Sequence, residues 1–189
     1  MATFMLVTGG TRSGKSSFAL DFCETVSTKK LFVATCPAVD DEMTARIRLH
    51  QLQRRNKGWT TRETPLALAE IFRQEARFYD VILIDCLTLW VSNLLYESQR
   101  TSDPLSSESL VQMTEEWLQK ARRFPLHLVC VTNEVGLGIV PENALARQYR
   151  DLVGLVNQTV ARAADDVVLV SCGIPLFLKK SPRKGEARS

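Results

Sequence analysis

A three-layer α/β fold with a mostly parallel central sheet is predicted by the distribution of apolar runs and by what lies between them. Five short β-rich runs recur along the 189 residues: Phe4–Thr8, Leu31–Thr35, Val81–Asp85, His127–Thr132 and Val167–Cys172. They are unbroken instead of alternating, as strands covered on both faces must be, and strands buried on both faces are characteristically parallel. The segments between them carry helical signals long enough for crossovers, which are then right-handed.

Hydrophobic residues make up 45% and charged residues 24% of the chain, enough for one substantial core. No repeat or Pro/Gly linker divides it, so residues 1–180 are expected to form one domain and 181–189 a basic tail. Two stretches read as loose: Ser98–Ser107, rich in Ser and Asp, and the tail from Ser181 onward. The net charge of +3 is modest and arises partly in Lys179–Arg188, which argues against a nucleic-acid footprint and suits a small anionic ligand. No apolar stretch approaches the roughly 20 residues that span a bilayer, so a cytoplasmic protein is expected. The five cysteines lack CxxC spacing, and three lie in or at the ends of apolar runs. They read as reduced core residues, neither zinc ligands nor disulfide partners.

Directly after the first run comes Gly9-Gly10-Thr11-Arg12-Ser13-Gly14-Lys15-Ser16, followed by the helix-compatible Ser17–Val26. This is GxxxxGK[ST] in its strand–loop–helix context and specifies a P-loop NTPase-like fold. Glycines let the backbone wrap closely around phosphates, and the amides and helix N-terminus supply donors. Lys15 reaches the β/γ-phosphates and Ser16 ligates Mg²⁺. The four aliphatics of Val81–Ile84 end in Asp85, the acid expected beside the P-loop at the carboxyl edge of the sheet, and hence the second metal-side residue. Met43 and Leu66 read as core.

Asp40-Asp41-Glu42 precede Met43–Arg55, with acids at the start and bases toward the end, as the helix macrodipole favours. Arg46, His50 and Arg54 recur at intervals of four and line one face. Neighbouring cations disfavour imidazolium and keep the ring nucleophilic near neutral pH, and the guanidinium groups suit phosphate oxygens. From the residues alone, a solvated basic face with an incidental histidine remains open. His127 opens a strand and reads as structural. Thr132-Asn133-Glu134-Val135-Gly136 follows the fourth run at the same sheet edge, so Glu134 is a candidate contact for the substrate or its hydroxyl. Arg147 and Arg150, near Asp151 and Asn157 in the following helical stretch, are open between phosphate contacts and subunit salt bridges.

Several longer motifs accompany these: LVTGGTRSGKS (Leu6–Ser16), ATCPAVDDEMTARIRLH (Ala34–His50), GWTTRETP (Gly58–Pro65), IDCLTLWVSNLL (Ile84–Leu95), VTNEVGLGIVPENALARQYRDLVGLVNQ (Val131–Gln158) and the closing SCGIPLFLK. Together they resemble the bifunctional adenosylcobinamide kinase / adenosylcobinamide-phosphate guanylyltransferase family of cobalamin synthesis over nearly the whole chain. The resemblance implies phosphorylation of the terminal hydroxyl of adenosylcobinamide's aminopropanol arm. It also implies transfer of GMP from GTP, through a guanylylated histidine matching His50, to adenosylcobinamide phosphate. ATP and GTP are then substrates, Mg²⁺ the cofactor, Arg46, Arg54 and Glu63 further nucleotide contacts, and a homotrimer the assembly. Thr11 stands where Ala is common in the family, and the tail extends beyond the pattern. The competing expectations are a small-molecule kinase without nucleotidyl transfer and a nucleotide-dependent switch protein.

Overall fold

The structure, a computed structural model, describes residues 3–36, 54–101 and 103–182. Seven strands form one sheet in the order β3-β2-β4-β5-β1-β6-β7. They are β1 (Thr3–Gly9), β2 (Lys30–Ala34), β3 (Trp59–Glu63), β4 (Val81–Asp85), β5 (His127–Val131), β6 (Asp166–Ser171) and β7 (Ile174–Lys179). Every pairing is parallel except that of β6 with β7. The α-helices that lie wholly among the described residues are α1 (Lys15–Val26), α2 (Leu68–Gln74), α3 (Leu87–Thr101), α4 (Ser107–Ala121) and α5 (Ala144–Ala163).

The unbroken apolar runs become strands because successive side chains point to opposite faces and both faces are covered. Met5, Val7, Phe32, Leu83 and Val129 pack toward Ala19, Leu20 and Cys23 of α1. Phe4, Leu6, Val33, Ile84 and Leu128 face a second cluster built with Leu68, Phe72, Trp90, Trp117 and Val156 from α2 to α5. The three layers are therefore α1, the sheet, and α2 to α5. On the thicker side Trp117 stacks on Phe72 at 5.9 Å between centroids and meets Trp90 edge-on at 6.3 Å. The buried Trp90 indole donates to the Leu66 carbonyl at 2.8 Å.

Two strands have no counterpart among the expected runs, and both are edges. β3 reads WTTRE because an edge strand is not buried on both faces. β7 carries Pro175 and is exposed throughout, joining β6 through the turn Cys172–Gly173. The stretch 98–107 is only partly loose, since α3 continues through Thr101 with a Glu97–Arg100 ion pair in its last turn. None of the five cysteines forms a disulfide, but the core reading fails for Cys172, which is exposed at φ 53° in the β6–β7 turn. Burial pushes the Cys23 thiol up to about 12 and that of Cys86 to about 11, so neither is a thiolate at neutral pH. Among the described residues no helix is long and apolar enough to cross a membrane.

The register aligns the carboxyl ends of the strands. Val7 pairs with Val131, Val131 with Asp85, Asp85 with Ala34 and Ala34 with Glu63. In an open parallel sheet this edge is where ligands bind.

Candidate active site

The loop leaving β1 is shaped by positions where a side chain does not fit. Gly9 has φ 156°, and a Cβ there would lie 2.4 Å from the Val170 carbonyl oxygen and 2.7 Å from Ser13 Oγ. Gly14 caps α1 with φ 94° and ψ 1°, in the left-handed region open to glycine at little cost. The Gly173 amide donates to the Ser13 carbonyl at 2.8 Å, tying the loop to the β6–β7 turn. α1 has no side-chain N-cap, so its first amides remain donors for an anion.

Lys15 is 9% exposed and bends back to donate to the Gly10 carbonyl at 3.0 Å. Burial lowers its pKa, opposed by the charge of Asp85. Arg54 is 5% exposed, its guanidinium carbon 3.5 Å from the Phe32 ring centroid, with Nε and Nη1 lacking hydrogen-bond partners among the described residues. Burial lowers its pKa too, again opposed by Asp85. The strand-end carboxylate thus lies in the field of both cations. Arg54 is therefore not part of a solvated basic face. Its buried, unsatisfied N–H groups are the kind a phosphate or carboxylate completes.

A polar network spans the same edge. Thr8 donates to Glu134 Oε1 at 2.6 Å, and Asn157 Nδ2 approaches the same oxygen at 3.4 Å while donating to the Asn133 carbonyl at 3.1 Å. Thr132 donates to Asn157 Oδ1 at 2.7 Å. Asn133 donates to Thr88 Oγ1 at 2.9 Å, and Thr35 joins β2 to β4 by donating to the Cys86 carbonyl at 2.7 Å. Sequence reasoning singled out Glu134 but missed the threonines. The available signal was that the β1, β2 and β5 runs all end in Thr, as Val-Thr, Ala-Thr and Val-Thr.

Among the expected site residues, Gly9 to Ser16, Asp85, Arg54 and Glu134 come to one sheet edge. Glu63 ends edge strand β3, exposed and four strands from β1 in the sheet order, about 19 Å at the usual strand spacing. It stands outside the phosphate cradle. Arg147 donates to the Pro141 and Glu142 carbonyls at 2.9 and 2.6 Å, bracing the loop before α5, and Arg150 pairs with its neighbour Asp151 at 3.4 Å. Arg46, His50 and most of the Met43–Arg55 helix lie outside the described residues. Among those described, no cluster of three or more His, Cys, Asp or Glu could hold a metal.

A family profile described as cobinamide kinase / cobinamide phosphate guanyltransferase matches residues 5–178. The bifunctional adenosylcobalamin biosynthesis protein CobU of Escherichia coli is 40% identical over 181 residues, covering 93% of this chain and 99% of that protein. CobP of Pseudomonas aeruginosa, named likewise, is 38% identical over 177 residues, covering 94% and 98%. Among solved structures, the RadB recombinase aligns with a TM-score of 0.49 at 14% identity over 88% of this chain and 73% of that one.

Proposed function

The chain belongs to the cobinamide kinase / cobinamide phosphate guanyltransferase family, and we propose that one P-loop nucleotide site serves both of its transfers, with His50 carrying the nucleotidyl group. The enzyme phosphorylates cobinamide and transfers a guanylyl group to cobinamide phosphate, in cobalamin biosynthesis. The observation that carries the residue assignment is Lys15, folded into its own loop beside Asp85 at the aligned strand ends.

In phosphoryl transfer the chain positions groups and neutralises charge. Lys15 exchanges the Gly10 carbonyl for β- and γ-phosphate oxygens, and the Gly9–Ser16 amides surround the phosphates. In nucleotidyl transfer an imidazole nitrogen of His50 bonds to the α-phosphorus of GTP as the bond to pyrophosphate breaks. An oxygen of cobinamide phosphate then displaces the imidazole. One hard transfer becomes two easier ones. Arg46 and Arg54 belong with the phosphates in this reading, and the unpartnered donors of Arg54 support it.

The donor set fits Mg²⁺: Ser16 hydroxyl and Asp85 carboxylate are hard oxygens, and Mg²⁺ characteristically takes few protein ligands alongside water and substrate phosphates. When bound there it would neutralise phosphate charge. ATP as phosphoryl donor, adenosylcobinamide as the acceptor form, a cytoplasmic location and one domain over 1–180 complete the reading. A homotrimer belongs to it as well. Ile174 at 69%, Leu176 at 58% and Leu178 at 59% exposure on β7 support a subunit contact.

The deciding experiment incubates the protein with GTP labelled in its α-phosphate and denatures it. Label should remain on the wild type, be lost in acid and survive alkali, because protonation makes imidazole a good leaving group. His50→Ala should capture none while still phosphorylating cobinamide in part. Denaturation-resistant label on His50→Ala would show that the nucleophile lies elsewhere.

A further inference from the structure

Within the polar network, one group of side chains converges on a single carboxylate. Glu134 is the third residue after β5, and its backbone amide donates to the Gly9 carbonyl at 3.3 Å, so it sits against the first residue of the P-loop. Its Oε1 receives the Thr8 hydroxyl at 2.6 Å and Asn157 Nδ2 at 3.4 Å. Asn157 is itself fixed: Oδ1 accepts from Thr132 at 2.7 Å, and the amide hydrogens on Nδ2 serve Asn133 and Glu134. Thr8, Thr132 and Asn157 are 3%, 0% and 8% exposed. Such groups are costly to bury unless satisfied, and a fully satisfied network is rigid.

Glu134 is the one ionisable member of this group of Thr8, Thr132, Asn133, Glu134 and Asn157. Asn157 joins α5 to the sheet through Thr132 and the Asn133 carbonyl without the carboxylate, so that junction alone does not call for Glu134. Both donors fall on Oε1, so among the described residues the clamp occupies one oxygen and leaves Oε2 for another partner.

We propose that Thr8 and Asn157 are positioning residues that aim Oε2 of Glu134 at the acceptor hydroxyl in phosphoryl transfer, a role that rests on the kinase reading above. As the hydroxyl oxygen bonds to the γ-phosphorus, its proton passes to Oε2. The bond from γ-phosphorus to the bridging oxygen breaks, and its electron pair leaves on the nucleoside diphosphate. Oε1, held by two donors, keeps the carboxylate correctly turned for that transfer.

The test measures ATP-dependent phosphorylation of cobinamide by full-length Glu134→Gln, Thr8→Val, Thr8→Ser and Asn157→Asp, with capture of labelled GMP and thermal melting alongside. Glu134→Gln should lower kcat about 100-fold or more, with KM for ATP little changed. Thr8→Val keeps the shape and removes the donor, and should lower kcat about tenfold. Thr8→Ser, which restores the hydroxyl, should recover most of it. Asn157→Asp still accepts from Thr132 but loses the amide donor, and should lower kcat at least as far as Thr8→Val. A structural role alone would move melting temperature and leave the kcat of the folded fraction intact. Wild-type kcat in Glu134→Gln overturns the clamp, as does equal loss in Thr8→Val and Thr8→Ser, or a loss confined to KM for ATP. A wild-type chain that transfers no phosphoryl group to cobinamide overturns the kinase reading and the clamp together.

Discussion

Gly9→Ala is the substitution whose effect follows most directly from geometry. The new methyl would stand 2.4 Å from the Val170 carbonyl oxygen and 2.7 Å from Ser13 Oγ, nearly 1 Å inside the approximately 3.3 Å at which carbon and carbonyl oxygen ordinarily meet. The serine side chain can turn away. The carbonyl cannot, because it belongs to β6, whose Val170 pairs with Gly9 itself. Relief therefore requires the β1–β6 ladder to open at its carboxyl end. Forcing atoms into a packed site costs about 1–3 kcal/mol, and holding alanine at φ 156° adds about 1–3 kcal/mol. Together these predict a fall in melting temperature of roughly 4–24 °C for a chain of this size, measured by circular dichroism without nucleotide. Gly10→Ala is the matched control, because its Cβ meets nothing within 4 Å. It should stay within about 2 °C of wild type. Equal melting temperatures for the two variants would refute the argument.

Three further outcomes are expected. Asp85→Asn preserves shape but removes the metal-side charge, so Mg²⁺-dependent turnover should fall about 100-fold while melting shifts far less; a melting loss as severe as the activity loss would make Asp85 a structural cap. Arg54→Lys keeps a cation but gives up the guanidinium contact with the Phe32 ring and the planar fork, so GTP affinity by titration calorimetry should weaken about tenfold; an unchanged Kd would show that the guanidinium serves packing alone. Burial lowers the pKa of His127 from its ordinary 6.5, opposed by Asp80. Between the lowered folded value and 6.5 the unfolded chain binds more protons, so this group's contribution is present above pH 6.5 and lost as pH falls below it. His127→Gln should flatten the fall of melting temperature on acidification from 6.5, and an unchanged slope would count against it.

Much of the phosphate cradle was legible because its requirements are local. A strand feeding directly into glycines, then Lys15 and Ser16, fixes a loop whose amides and cation must face an anion, whatever surrounds it. The central strands were legible for a related reason: burial on both faces leaves no polar alternation, and that absence is visible in five consecutive residues. Edge strands lack this property, so β3 and β7 escaped. Ser98–Thr101 were misread because Ser and Thr weaken helix propensity slightly, whereas α3 is carried by Trp90, Val91 and Leu95 packed on the core.

Sequence by itself therefore determined the layered sheet, the cradle, the strand-end acid and, through its longer motifs, the family. Only the tertiary structure decided which polar groups meet. Thr8 and Glu134 are 126 residues apart and touch because the sheet places β5 beside β1. Asn157 reaches Glu134 because α5 packs against that pair, and Arg54 is buried because Phe32 offers it a ring. Periodicity records which face of an element is apolar, but not which other element will cover it. Contacts between distant segments depend on strand order and packing, and no local spacing of residues encodes them.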